Sequence, residues 1–369
     1  MMNRPPPPHP TEGRARLKIF LAGPWWDTGS WTEYIAAGFG RLGHDVRIFI
    51  YSRDLNRPLG LCSRLRRKLL GPDRFQIERV FANARQDNLD FIHGVEEFAP
   101  DLVLVVKGET LLPETLHAVK RRSGVPLLQW CGDDPFWFPN IVGAFGIYDH
   151  FFIADASYIP DIEKHGSPSA SFLAHAVDET VYHDGIPPAA EETDVIFVGD
   201  SRHQMGHLPE NWHRVEMLEA VARAGFNLAI YGRGWESLPD SYAVRKFVRG
   251  PELLPATQVA AAYRASAIVL NVHHPQMVHG CNMRTFEAAA CGAFQLVDDR
   301  ASLAELFDPT DDIVAYRSSE ELVELIRHHL DHPAERAAIA ARGRATVLAR
   351  HTYAQRLAEL LQRATGSAS

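Results

Sequence analysis

The chain has 369 residues, which suits two domains of about 150 to 200 residues each rather than one core. Hydrophobic residues at 46% and charged residues at 23% are ordinary globular values and exclude a fibrous repeat or wholesale disorder. A formal charge of -8 argues against a polyanion partner, since attraction to phosphates along a strand needs a basic surface, so no nucleic acid is expected.

Residues 1–16 contain the run Pro5–Pro8 and no apolar h-region, which predicts a disordered lead without a secretory signal. The longest apolar runs, Leu102–Val106 and Ala267–Val272, fall far short of the roughly 20 residues that span a bilayer. Cytoplasmic residence is the expectation. Cys62, Cys131, Cys281 and Cys291 form no CxxC pair, so neither a disulfide framework nor a zinc framework is expected.

In chain order, Leu17–Ala22 reads as a buried strand, and Trp31, Tyr34, Ile35, Phe39 and Leu42 recur at helical spacing. Gly43 ends that helix and Asp45–Ile50 supplies the next strand, giving a βαβ unit. Further strands are predicted at 101–106, 126–131 and 150–154, with helices at 83–98 and 113–122. The linker Gly185–Glu192 is rich in Pro, Ala and Glu. A second series follows it: Asp194–Gly199, Phe226–Gly232, Lys246–Gly250, Ala267–Val272 and Ala293–Asp298, with helices between. A helix signal over 333–363 closes the chain. Repeated β-then-α order predicts an α/β protein of two Rossmann-like, doubly wound parallel sheets facing a cleft.

Gly38, Gly40 and Gly43 satisfy GxGxxG, but they lie at the end of a helix, whereas phosphate binding needs the strand-to-helix turn. That turn is Ala22–Ser30, with Gly23 as a candidate for close ligand approach, or a plain loop. In the second series, Gly199 ends a strand before Arg202, and Gly232 and Arg233 follow another; guanidinium groups there suit a diphosphate, or are solvated loop charges.

The loop His279–Arg284 runs into a short helix, placing Asn282 and the Arg284 charge at a helix N-terminus, where anions are favoured. Glu287 can accept two hydrogen bonds from ribose hydroxyls; alternatively it caps the helix and pairs with Arg284. His273, His274, His279 and Cys281 fit no zinc spacing, so no metal site is expected among them.

Leu127–Phe138 delivers Asp133 and Asp134 directly after a strand, followed by Pro135 and three aromatics. One of the two is a candidate base for an acceptor hydroxyl, with Asp133 favoured because Pro135 restricts its neighbour; the alternative is an Asp-Pro turn under an aromatic cluster. Ser63–Leu70, with four basic residues among leucines, predicts an exposed helix and either a solvated face or peripheral contact with an anionic membrane.

Four strings, VVKGETLLPETL (Val105–Leu116), WCGDDPF (Trp130–Phe136), YGRGW (Tyr231–Trp235) and NMRTFEAAACGAF (Asn282–Phe294), set the chain beside a known family. Over about residues 17–355 it resembles the CgeB-like, spore-maturation-protein type group of glycosyltransferases. The resemblance implies the GT-B fold, metal-independent hexosyl transfer from a nucleoside-diphosphate sugar to a glycan, protein, lipid or small-molecule hydroxyl, and no cofactor. It also implies an N-terminal acceptor domain over 17–186, a C-terminal donor domain over 187–345, and a helix over 346–369 returning toward the first. Retaining enzymes of that fold carry two glutamates eight positions apart. Glu287 matches the second; His279 stands where the first would be, and is the next candidate catalytic residue. An epimerase acting on nucleotide sugars and a non-catalytic nucleotide-sugar-binding scaffold are the alternatives.

Overall fold

A computed structural model describes residues 16–24, 31–51, 68–69, 72–190, 192–201, 212–250 and 254–364. Arg202, Cys62 and all of 63–70 except Lys68 and Leu69 lie outside the described residues, as do residues 1–15 of the lead. Lys68 and Leu69 are helical and exposed.

The first sheet contains β1 (Lys18–Pro24), β2 (Asp45–Tyr51), β3 (Leu102–Val106), β4 (Leu127–Cys131), β5 (His150–Ile153) and β6 (Ala170–Phe172). Its order is β2-β1-β3-β4-β5-β6, parallel throughout. The second contains β7 (Thr193–Val198), β8 (Leu228–Tyr231), β9 (Val248–Gly250), β10 (Ser266–Asn271), β11 (Gln295–Asp298) and β12 (Val314–Tyr316). It runs β12-β11-β10-β7-β8-β9, again parallel. Every residue of β3 and β4 is buried, as expected of strands covered by helices on both faces. Strand order reverses between β1 and β3 in one sheet and between β7 and β10 in the other. Those two points, at the carboxyl ends of the strands, are where open α/β sheets leave a crevice for ligands.

Two expectations change. The helix expected at 83–98 begins earlier, at Pro72, and extends to Phe98. The single signal over 333–363 is two helices, Pro333–Arg350 and Tyr353–Ala364. The break comes where Thr352 and Gln355 form a reciprocal cap: the Thr352 N–H donates to Gln355 Oε1 at 2.9 Å and the Gln355 N–H to Thr352 Oγ1 at 3.4 Å. Thr352 also bridges to Val177, so the chain crosses from the second half to the first at this point.

The last helix packs on Trp31–Arg41 of the first half, with Tyr353, Leu357 and Leu360 fully buried. Gly38 allows it: a Cβ there would stand 2.7 Å from Leu357 Cδ1 and 2.9 Å from Tyr353 Cβ. The first glycine of the GxGxxG string is therefore a packing glycine. Gly43, at φ 84°, is the left-handed residue that stops the helix.

Candidate active site

On the first-half rim, the chain leaves β3 through Lys107 at φ 65° and Gly108 at φ 88°. A non-glycine in the left-handed region is strained and needs outside support. The Tyr51 hydroxyl provides it by donating to Val106 O at 2.7 Å and accepting from the Gly108 N–H at 2.8 Å, while the Gln129 amide donates to Lys107 O. So held, the Lys107 ammonium stands 2.9 Å from Asp133 Oδ2 and 5.1 Å from the Phe138 ring centre. Burial opposes its charge, but Asp133 and Glu109 outweigh burial and hold its pKa above the ordinary lysine range.

The other Asp133 oxygen accepts from the Gln276 amide of the second half at 2.8 Å. Asp134 is differently employed. It caps the short 3-10 turn Pro135–Trp137, accepting from the Phe136 N–H at 2.9 Å. Burial raises its pKa against the lowering effect of that N–H and of the Tyr158 hydroxyl. The turn reading thus describes Asp134, while Asp133 faces the cleft.

The loop from Val272 to Asn282 crosses onto this rim. Asp155, which follows β5 and is 2% exposed, accepts from the N–H groups of His279 and Gly280, each at 2.9 Å. The Tyr158 hydroxyl donates to Gln276 O at 2.7 Å, and the Trp137 and His274 rings meet edge-on at 5.8 Å. Gly280 is required by this approach, for a Cβ would lie 2.4 Å from Ala154 O. His279 is exposed, its backbone pinned and its ring toward solvent.

On the second-half rim, the loop enters the helix Met283–Ala290. Asn282 caps it, accepting from the Thr285 N–H at 3.3 Å and exchanging amide hydrogen bonds with Asn271 at the end of β10. Glu287 is therefore released from capping. It is 8% exposed, and burial raises its pKa to about 7 against the Arg284 charge and a Tyr182 hydrogen bond. Arg284 is half-buried at the helix N-terminus and makes no hydrogen bond or ion pair with a described residue.

The glycines nominated from sequence serve close backbone approach. A Cβ on Gly232 would stand 2.2 Å from Gly199 O, the same oxygen that accepts from Trp235 Nε1 at 2.7 Å. A Cβ on Gly23 would strike Thr32 Oγ1. Arg233 is committed to Asp200, with Nη2 at 2.9 Å and Nε at 3.1 Å from Oδ2, so its charge is already answered.

Sequence reasoning did not single out Lys107, Asp155, Gln276, Tyr182, His175 or Arg214. Arg214 is 5% exposed and ties the two loops at the β7/β10 switch point, donating to Asp200 O at 2.6 Å and to Val272 O at 2.8 Å. Burial and the nearby Arg284 lower its pKa to about 9. His175, kept neutral by burial with a pKa of about 4, fills the space beside Gly132 and meets Trp31 at 5.1 Å. Only Lys107 carried a local signal, as part of the VVKGETLLPETL string; the others depend on contacts far apart in sequence.

A family model described as glycosyl transferase-like matches residues 213–362, the half that holds Arg284 and Glu287. Spore protein CgeB of Bacillus subtilis (strain 168) is 21% identical over 264 residues, covering 67% of this chain and 77% of that protein. The chain is thus similar to CgeB over about two thirds of its length. Among solved structures, sucrose-phosphate synthase (tll1590) from Thermosynechococcus elongatus superposes with a TM-score of 0.61 at 13% identity, covering 96% of this chain and all (100%) of that one. Anabaena Alr3699/HepE, solved with UDP and glucose, gives 0.60 at 14% identity, covering 94% and 100%. These likenesses and the two six-stranded sheets establish the two-domain α/β GT-B fold for this chain.

Proposed function

We propose that this chain is a glycosyltransferase that moves a hexosyl group from a nucleoside-diphosphate sugar to an acceptor hydroxyl. The observation that carries this reading is the helix Met283–Ala290, which sets the Arg284 guanidinium at its positive end, near a buried carboxylate one turn further. An N-terminus with an added arginine suits a diphosphate, and a carboxylate one turn further suits a ribose. Neighbours of the same fold were solved with UDP and glucose and with UDP-2-fluoro glucose, which supports such a donor.

In the proposed transfer, an Asp133 oxygen takes the acceptor hydroxyl proton as the acceptor's hydroxyl oxygen attacks the anomeric carbon. The bond from that carbon to the diphosphate breaks, and its electron pair leaves with the nucleoside diphosphate, beside Arg284. Lys107 and Gln276 hold Asp133 in place and must yield one carboxylate oxygen to the acceptor. Arginine rather than a metal answers the diphosphate in this reading, so transfer should persist in excess chelator.

The test is a thermal-shift series with nucleoside diphosphates, followed by donor hydrolysis and transfer assays, since a ligand binding only the folded state raises its melting point. A shift that Glu287→Ala reduces, with a deoxyribose analogue losing much less affinity in the variant than in the wild type, supports the donor site. No shift with any nucleotide overturns it. Binding with neither hydrolysis nor transfer would leave the scaffold reading, which His279 at the family glutamate position favours. Epimerised donor without acceptor would leave the epimerase.

A further inference from the structure

Away from the cleft, the helix Ser319–Asp331 ends against the start of Pro333–Arg350, and the tight reversal at His332 and Pro333 stacks imidazoles with a carboxylate. One ligand atom each from His328, His329 and Glu335 lies within 4.8 Å of the others, the only such group of three among the described residues. His328 Nε2 and Glu335 Oε2 are 2.9 Å apart. The three side chains span the junction between the two helices.

The bland account is a surface His–Glu hydrogen bond at a helix end. It does not account for His329. That residue is 3% exposed, and its Nδ1 has no hydrogen-bond partner despite being buried. A buried polar atom without a partner is destabilising, so this nitrogen asks for a ligand or a rearrangement.

His332 lies flat on His328 at 4.2 Å, with its Nδ1 against His328 O at 2.6 Å, so it braces the ligand ring. The Arg336 guanidinium is turned to the His329 and Leu330 carbonyl oxygens. It therefore leaves the carboxylate of Glu335 to answer a cation.

We propose that His328, His329 and Glu335 form a site for a divalent transition-metal ion of the zinc type, which fastens the two helices together outside the glycosyl-transfer cleft. Two imidazoles, one carboxylate and a solvent molecule make a four-coordinate set. Ligand atoms around tetrahedral zinc stand about 3.3 Å apart, given bonds of about 2.0 Å, so the present spacing needs contraction on binding. Because His329 also packs on Phe294 at 4.5 Å, the ion would tie the helix junction to the chain entering β11.

The test titrates Zn2+ calorimetrically into the full chain after chelator dialysis, with Co2+ absorption as a report of coordination geometry. One zinc per chain, tetrahedral Co2+ bands and a zinc-dependent rise in melting temperature are expected. His328→Gln and Glu335→Gln, at side chains about half exposed (47% and 45%), should fold normally and each weaken zinc binding by at least about tenfold. Failure of the wild type to take up zinc overturns the proposal. So does unchanged affinity in both variants, which would assign the metal to cysteines or other histidines.

Discussion

On the first-half rim of the cleft, each carboxylate already has protein partners: Asp133 holds Lys107 and Gln276, Asp134 caps a turn, and Asp155 grips two N–H groups of the opposing loop. On the second-half rim, Arg284 has none among the described residues, and Glu287 is buried with Tyr182 as its hydrogen-bond partner. The contrast separates two kinds of preparation. In the proposed reading, one rim is a satisfied network whose groups are oriented in advance and act only when a partner is displaced, while the other leaves the Arg284 guanidinium without a hydrogen bond to a described residue, for a ligand to meet. Reactive groups gain from the first arrangement, because orientation is established before reaction. Affinity gains from the second, because a ligand anion meets a guanidinium that no hydrogen bond or ion pair with a described residue already holds.

The sharpest way to break this division is Asp133→Asn, which keeps size and one of the two acceptor oxygens facing Lys107 and Gln276 but cannot take a proton. Turnover should fall about 100- to 10,000-fold while donor affinity stays within about twofold. Single-turnover kinetics beside a donor-binding isotherm separate the two quantities. A parallel loss of affinity would place Asp133 in donor binding and erase the distinction between the rims. If Asp134→Asn loses turnover instead, the base is the neighbouring residue; if neither does, His279 is the next to substitute.

Arg284→Ala tests the other rim and should move affinity. A hydrogen bond to a charged group contributes about 1.5 to 3 kcal/mol, so nucleoside-diphosphate binding should weaken about 10- to 150-fold, and a nucleoside lacking phosphate should hardly notice. Arg233→Ala is the control: its charge is already answered by Asp200, so its effect on the same isotherm should be smaller. Equal effects would mean that Arg233 leaves Asp200 for the ligand.

The same division explains what the sequence made legible. Strands β3, β4, β7 and β10 announce themselves because strands buried on both faces are written as apolar runs. β6 and β12 are three-residue edges, Ala170–Phe172 and Val314–Tyr316, too short for any period to appear. The break before Tyr353 was readable, since Thr352 and Gln355 have capping-box spacing, but the helical signal on both sides obscured it. Asp133 and Glu287 stood out because each occupies a local setting, a strand end or an early helix turn. Asp155, Gln276 and Tyr182 carry no such mark. They acquire their roles from the approach of the two halves, which no local pattern encodes.

Gly38→Ala probes the packing that carries the last helix back to the first half. The added methyl meets Leu357 and Tyr353 at under 3 Å, and overpacking of this kind costs about 1 to 3 kcal/mol. The melting temperature should fall in chemical or thermal denaturation, with donor affinity of the folded fraction retained. A selective loss of nucleotide binding at unchanged stability would instead revive the GxGxxG string as a ligand loop.

The smallest effect expected is the pH response of Glu287, and it tests whether the second-half rim binds through an anion. Burial raises this carboxyl from 4.5 to about 7 in the folded protein, so the folded state holds its proton more tightly than the unfolded chain does. Its contribution to stability is therefore fully present below 4.5 and is lost as pH rises toward 7. Donor binding should run the other way. The ionised carboxylate accepts from two ribose hydroxyls, whereas the protonated form has fewer acceptor sites. Affinity should rise with pH through the neutral range, by up to about tenfold for a group of this pKa. Glu287→Gln should flatten that rise, and a deoxyribose donor should reduce it in the wild type. A rise that persists unchanged in Glu287→Gln would assign the titration to another group, and with it the claim that this carboxylate is held in reserve for a ribose.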